Sequence, residues 1–261
     1  MTADTERLLY YDIDSRAVAF STTRHGGVST GNYSSFNINS FCGDSMENVN
    51  ENKALLAGEL GLPASRVLVP HQVHGTDCRI ITAAHAHMAD DELFADLDGV
   101  DALVTAERNI VIGVSTADCI PVLLFDTKRN VAAAVHAGWR GTVKNIVAAA
   151  LNVMTGEFGS APADVKAVIG PGISLKNFEV GQEVFDKFDK QGYDMARISR
   201  MFNKWHIDLP LCNELQLEAC GVKKANIRQT GICTYDNVDT FFSARRLGTA
   251  SGRIYSGIML K

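Results

Sequence analysis

Positive charge is not in excess in this 261-residue chain: 25 Lys and Arg stand against 30 Asp and Glu, a net charge of −5. That balance removes any general attraction to nucleic acid or to an anionic membrane. No apolar run approaches the length of a membrane span, and the polar, acidic start Met1-Thr2-Ala3-Asp4-Thr5-Glu6-Arg7 lacks the basic and apolar regions of a secretory signal. The six cysteines, at 42, 78, 119, 212, 220 and 233, include no Cys-x-x-Cys pair. Neither a zinc ribbon nor a disulfide framework is therefore expected, and reduced thiols are the default. Proline-rich linkers, low-complexity stretches and internal repeats are missing too, so nothing divides the chain, and residues 1–261 read as one domain. The expectation is a cytoplasmic protein, a monomer or small homo-oligomer, whose partners are small molecules.

What is present alternates short strands with helices, an α/β (α+β) pattern with mixed sheets. Ala17–Thr22, Val67–Val69, Asp77–Thr82, Val165–Ile169, Trp205–Ile207, Asn226–Thr230 and Ile254–Leu260 read as strands. Glu47–Leu60, Glu179–Lys190 and Leu211–Cys220 read as helices, the last with Asp208 as N-cap and Pro210 near its start.

The chemistry concentrates in the middle of the chain. Val111–Ser115, Val122–Phe125 and Val131–Val135 are β-branched, apolar runs, and Asp126–Asn130 is turn-like, which signals a hairpin. With Thr127 and Lys128 at its tip, opposed residues have numbers summing to 255, and Cys119 faces His136. Opposed Cβ atoms lie about 4.5–5.5 Å apart, close enough for a thiolate and an imidazole to meet at one zinc ion, or to act as nucleophile and base. Gly138 and Gly141 then turn the chain into an Ala/Val-rich helix, Thr142–Met154.

Elsewhere the residues leave choices open. His71 and His74 are both candidate ligands. His85-Ala86-His87 lies in an acidic surface excursion. Arg24-His25-Gly26-Gly27-Val28-Ser29-Thr30-Gly31 offers backbone N–H groups to an anion but lacks the Gly-Lys-Ser/Thr of a phosphate loop. Arg245 and Arg246, read as neighbours on a strand, point to opposite faces, so only one reaches a shared pocket.

Several segments together resemble the YfiH-like family: Thr23-Arg24-His25-Gly26-Gly27-Val28-Ser29, Ser35-Phe36-Asn37, Gln72-Val73-His74-Gly75, Ala117-Asp118-Cys119-Ile120-Pro121, His136-Ala137-Gly138-Trp139-Arg140-Gly141, Gly170-Pro171-Gly172-Ile173 and Phe241-Phe242-Ser243-Ala244-Arg245-Arg246 with Gly252-Arg253. That family is described both as laccase-domain polyphenol oxidases and as purine nucleoside phosphorylases with adenosine deaminase activity. The resemblance implies a layered α/β/β/α fold and a zinc held by His74, Cys119 and His136, with copper as a substitute metal. It also implies phosphate as co-substrate and Arg24, Asn37, Arg140 and Arg245 as contacts for phosphate or nucleoside. Asp118 or His71 is then a candidate proton carrier beside the three ligands. Two other chemistries fit the same residues: a Cys119/His136 hydrolase editing peptidoglycan precursors, and copper-dependent phenol oxidation. A multicopper laccase, however, needs several His-x-His segments, and the chain has seven histidines and one such pair.

Overall fold

A computed structural model describes residues 6–261, so the Met1–Thr5 start lies outside the described residues. The strands in chain order are β1 (Leu8–Tyr11), β2 (Ala17–Thr22), β3 (Val67–Leu68), β4 (Cys78–Ile81), β5 (Ala102–Thr105), β6 (Val111–Thr116), β7 (Ile120–Asp126), β8 (Val131–Ala137), β9 (Val165–Ile169), β10 (Glu179–Val180), β11 (Ser199–Met201), β12 (Trp205–Ile207), β13 (Ile227–Gln229) and β14 (Ile254–Leu260). The α-helices are α1 (Met46–Glu59), α2 (Asp90–Leu97), α3 (Trp139–Val143), α4 (Ile146–Phe158), α5 (Gln182–Lys190), α6 (Met195–Ile198), α7 (Leu209–Ala219) and α8 (Ala244–Leu247).

Two mixed sheets carry the fold, in orders β1-β2-β14-β6-β3 and β13-β9-β7-β8-β5-β4, with a small antiparallel sheet β10-β12-β11 beside them. The period-two alternation of the central strands assigns each face. Leu123, Phe125, Ala132 and Ala134 from the six-stranded sheet pack with Ala19, Ile112, Val114 and Ile258 from the five-stranded one, which makes a core between the sheets. The alternate residues Val122, Leu124, Ala133 and Val135 meet Ile146, Val147, Ala150 and Met154 of α4 and Leu217 of α7. On the far side, Phe20, Val111 and Tyr255 meet Leu56 and Ala57 of α1. The order of layers is thus helix, sheet, sheet, helix, as the family resemblance implies. Because β7 and β8 are apolar on both faces, they read as continuous hydrophobic runs rather than alternating ones.

The central hairpin differs from the expected register. Val131 pairs with Asp126 and His136 with Pro121, so opposed numbers sum to 257. The turn is four residues, Thr127–Asn130, not two. Asp126 stabilises it by accepting from the Lys128 and Arg129 amides at 2.7 and 3.1 Å, and Asn130 takes the left-handed φ of 54°. A slip of two preserves the face of every side chain. Cys119 and His136 therefore still point to the same side, but as diagonal neighbours.

Three further expectations change. The helix after His136 is split into α3 and α4 by Asn145 at φ 61°, a conformation asparagine tolerates. There the Thr142 carbonyl accepts from the Asn145 amide in a tight turn and also from Tyr193 Oη and Gln216 Nε2. Glu179 and Val180 pair with β12 as a short strand, and the helix starts only at Gln182. Arg245 and Arg246 lie on the short helix α8, where the Ser243 side chain caps the Arg246 amide, so the strand argument about opposite faces does not apply. The acidic segment around His85 is largely exposed, as expected, but His85 itself is buried, with Nδ1 against Thr82 and Nε2 3.0 Å from Asp96.

Candidate active site

The site lies at the open end of the sheet sandwich. Cys119 stands just before β7, where the register continued beyond Ile120↔Ala137 sets it opposite Gly138. A Cβ on Gly138 would lie 2.7 Å from His74 Cδ2 and 3.1 Å from Cys119 Sγ. Only glycine leaves room there for both side chains. His136, near the end of β8, faces the space between the sheets with Ala132 and Ala134. His74 arrives from the loop between β3 and β4 with a left-handed φ of 61°, a conformation uncommon outside glycine and maintained by surrounding bonds.

Those bonds converge on one residue that sequence reading passed over. Asp101, fully buried just before β5, accepts from the backbone amides of Val73, His74 and Gly75 at 3.2, 3.0 and 2.6 Å. The same carboxylate lies 2.7 Å from His136 Nδ1, and the Asp101 carbonyl accepts from the His136 amide at 2.8 Å. An ionised carboxylate only accepts, so the His136 proton sits on Nδ1 and Nε2 is left for a ligand. Burial opposes the charge of Asp101, but the His136 imidazole and the amides of Gly75 and Val73 hold its pKa below the usual range. Its signal in sequence is slight: one acidic residue, at the end of an acidic stretch, directly before an apolar strand.

One ligand atom each from His74, Cys119 and His136 lies within 4.8 Å of the others, the one such group among the described residues. His74 Nε2 is 3.7 Å from Cys119 Sγ. Burial alone would raise the Cys119 thiol, yet the adjoining His136 and His74 bring it down to about 6. Burial would likewise lower His136, and Cys119 with Asp101 lift it to about 9. A thiolate flanked by two imidazoles, one with its tautomer fixed by a carboxylate, is a donor set suited to zinc, with three protein ligands and a fourth position left for substrate or water.

A cavity of about 250 Å³ opens onto these donors, lined also by Asn39, Phe41, His71, Gln72, Ser115, Thr116 and Arg253. Gln72 is fixed by a two-way bond with the Ser115 backbone, at 2.9 and 2.7 Å. Arg253 is the single arginine or lysine in the lining. Its guanidinium is braced by the Thr249, Ser251 and Gly252 carbonyls and its amide by Asn37 Oδ1.

The other residues expected at the site are placed differently. Asn37 is buried and bonds the cavity-lining residues Arg253, Asn39 and Cys42 from behind, without lining the cavity itself. Arg24 binds the Ser34 and Val238 carbonyls and lies over Phe242. In its glycine loop the Gly27, Val28 and Ser29 amides are taken by Ser35 and Asn52, so they are not offered to an anion. Arg140 lies over Trp139, and Arg245 bonds the Glu179 carbonyl. None of Arg24, Asn37, Arg140 and Arg245 lines the cavity. Asp118, at φ 90°, has one carboxylate oxygen bound by Thr234 Oγ1 and the other by the Arg245 amide, both at 2.7 Å. Its carboxylate ties the Cys119 turn to the segments that follow β13. The Gly170–Ile173 turn supports that same turn from behind, with the Ile173 amide donating to the Asp118 carbonyl at 2.8 Å.

Comparison with known proteins is consistent over the whole chain. Residues 18–261 match the family described as multi-copper polyphenol oxidoreductase laccase. A purine nucleoside phosphorylase of Bacteroides thetaiotaomicron is 45% identical, covering 100% of this chain and 98% of the relative. Adenosine deaminase RL5, from an unknown prokaryotic organism, is 39% identical over 93% of this chain and 94% of its own. The crystal structure of Bacillus licheniformis hypothetical protein YfiH superposes with a TM-score of 0.92 at 27% identity, covering 99% of this chain and 98% of that one.

Proposed function

The chain belongs to the family described as multi-copper polyphenol oxidoreductase laccase, and we propose that this member is a zinc-dependent purine nucleoside phosphorylase that also deaminates adenosine. The observation that carries the reading is the His74, Cys119 and His136 donor group opening onto a cavity with one guanidinium. Relatives bearing both activity names, at 45% and 39% identity, support the substrate class. Phosphorolysis breaks the bond from ribose C1′ to the base and forms one from C1′ to a phosphate oxygen. Arg253, which lines the cavity, would hold that phosphate through the guanidinium N–H groups that its carbonyl braces leave free. Gln72 and Asn39 offer amide groups to the sugar or base. Zinc in the triad supplies Lewis-acid activation of an oxygen, while Asp101 keeps His136 in the ligating tautomer.

The donor count disfavours a laccase as the main activity. Among the described residues a single triad is assembled, and His71 and His85 are engaged by Asp98 and Asp96. One site can accept copper in place of zinc but cannot build a multicopper cluster. For the hydrolase reading, Cys119 needs one base, whereas His74 adds a second imidazole at the sulfur, which serves a metal and not a nucleophile. The six free thiols support a reducing, cytoplasmic setting.

Adenosine incubated with zinc-loaded protein, with and without phosphate, tests the proposal by chromatography. Adenine formed only with phosphate, and inosine formed in both samples, are the expected products. Adenosine unchanged in both would overturn the nucleoside assignment.

A further inference from the structure

Three aromatic rings stand in the open at the mouth of the cavity. Phe41 is 37% exposed, Phe94 50%, and the His71 side chain 38%. They arrive from separate segments, the loop after Asn39, the loop before His74, and α2. Even so, the Phe41 and His71 centroids are 4.5 Å apart, Phe41 and Phe94 6.0 Å, and His71 and Phe94 6.4 Å, with interplanar angles of 36°, 36° and 20°. Clustered aromatic surface left in water beside a cavity marks a ligand surface more than a core. Phe41 and His71 both line the cavity that holds the metal donors, and Phe94 backs them.

The platform is also held in place. His71 Nδ1 is 2.6 Å from the Asp98 carboxylate. Its backbone pairs with α2's end and the residue beyond Asp98, through His71 N to Leu97 O at 3.1 Å and Gly99 N to His71 O at 2.9 Å. The next residue, Gln72, is clamped to Ser115, and three positions on the same segment delivers His74. The Phe41 amide donates to Asn39 Oδ1 at 2.8 Å. A ring fixed this way loses little freedom on binding, and its distance from the metal donors is set by a short, fully bonded stretch of chain.

We propose that Phe41 and His71, backed by Phe94, form a stacking subsite for the planar base of the nucleoside. This deepens the proposed function and rests on its substrate class. Stacking depends on a π-face that every base has, not on its edge groups. The subsite therefore accepts adenine and hypoxanthine alike and favours ribosides of flat bases over those with aliphatic groups at C1′.

The test uses zinc-loaded wild-type protein and the variants Phe41→Ala, Phe41→Leu, Phe41→Trp, His71→Ala and Phe94→Ala, each checked for zinc content. Two readouts are taken: the Kd for adenine by equilibrium dialysis, and KM and kcat for adenosine with phosphate. Phe41→Ala, Phe41→Leu and His71→Ala are expected to raise the adenine Kd and adenosine KM about ten- to a hundredfold. Phe94→Ala should raise them less, and Phe41→Trp should keep wild-type binding. Leucine keeps the apolar bulk without a ring face, so it separates stacking from loss of packing. Values within twofold of wild type in Phe41→Leu and His71→Ala, at full zinc content, would overturn the subsite, as would wild-type protein that binds no adenine. Phe41-dependent adenine binding by a protein that leaves adenosine intact would uphold the subsite and overturn the phosphorylase reading alone.

Discussion

The Asp101 carboxylate joins two histidines from separate segments: it lies 2.7 Å from His136 Nδ1 on β8 and accepts the His74 amide at 3.0 Å. One buried charge thus fixes the tautomer of one histidine and the backbone of the other. Asp101→Asn keeps the shape but removes the charge and exchanges an acceptor oxygen for a donor. Zinc affinity should fall about 10- to 100-fold, read by competition with a chromophoric chelator. Wild-type affinity in this variant would show that Asp101 does not position the ligands.

Gly138 is the second constraint on the same geometry. Gly138→Ala puts a methyl 2.7 Å from His74 Cδ2 and 3.1 Å from Cys119 Sγ, so one of the two must move. Purified protein should carry well under one zinc per chain, while overpacking at this edge of the fold lowers stability by about 1–3 kcal/mol. Metal analysis and a urea titration read the two effects separately. Stoichiometric zinc would mean that His74 and Cys119 are looser than their contacts imply.

Part of this site is legible in the sequence: the hairpin reading brings Cys119 and His136 together, while His74 is preferred to His71 only through the family resemblance. Ala17–Thr22, Val165–Ile169, Trp205–Ile207 and Ile254–Leu260 form strands over the ranges expected. The hairpin survived an error in turn length because strand side chains repeat every two residues. A four-residue turn in place of two kept Cys119 and His136 on one face, whereas a three-residue turn would have separated them. The arginines were not legible in the same way. Whether a guanidinium faces a cavity or a backbone carbonyl depends on distant partners, such as Val238 for Arg24 and Glu179 for Arg245. Asp101 escaped notice for a related reason: its partners, residues 73–75 and His136, are remote in sequence and meet only in the folded sheet.

The thiol of Cys119 should report the site's charge in the metal-free protein. With its pKa lowered from the ordinary 9.0 to about 6, it is thiolate above that pH and takes up a proton as the pH falls through it. The alkylation rate by iodoacetamide, followed on the Cys119 peptide by mass spectrometry, should stay high from pH 9 to pH 7 and drop only near pH 6. Zinc loading should suppress the reaction across the range. A midpoint near pH 9 would mean that His136 and His74 do not stabilise the thiolate.

Asn52 makes a prediction away from the metal. Its side chain, fully buried on α1, accepts from the Val28 amide at 2.9 Å and donates to Ser29 Oγ, the Ser35 carbonyl and the Asn37 carbonyl at 2.9, 3.0 and 2.9 Å. The glycine loop read in sequence as an anion cradle is thus packed onto a helix, and its amides and carbonyls are satisfied from within. Asn52→Ala leaves several buried polar groups without partners, each costing about 1–3 kcal/mol, partly offset where water enters. The net loss should be about 2–4 kcal/mol in urea unfolding. Because the loop ends at Asn37, whose Oδ1 accepts the Arg253 amide at 3.0 Å, the variant should also raise the KM for phosphate while retaining zinc. Unchanged stability would mean that the loop is held by other contacts. An unchanged phosphate KM in the zinc-loaded variant would mean that this loop does not support the anion side of the cavity.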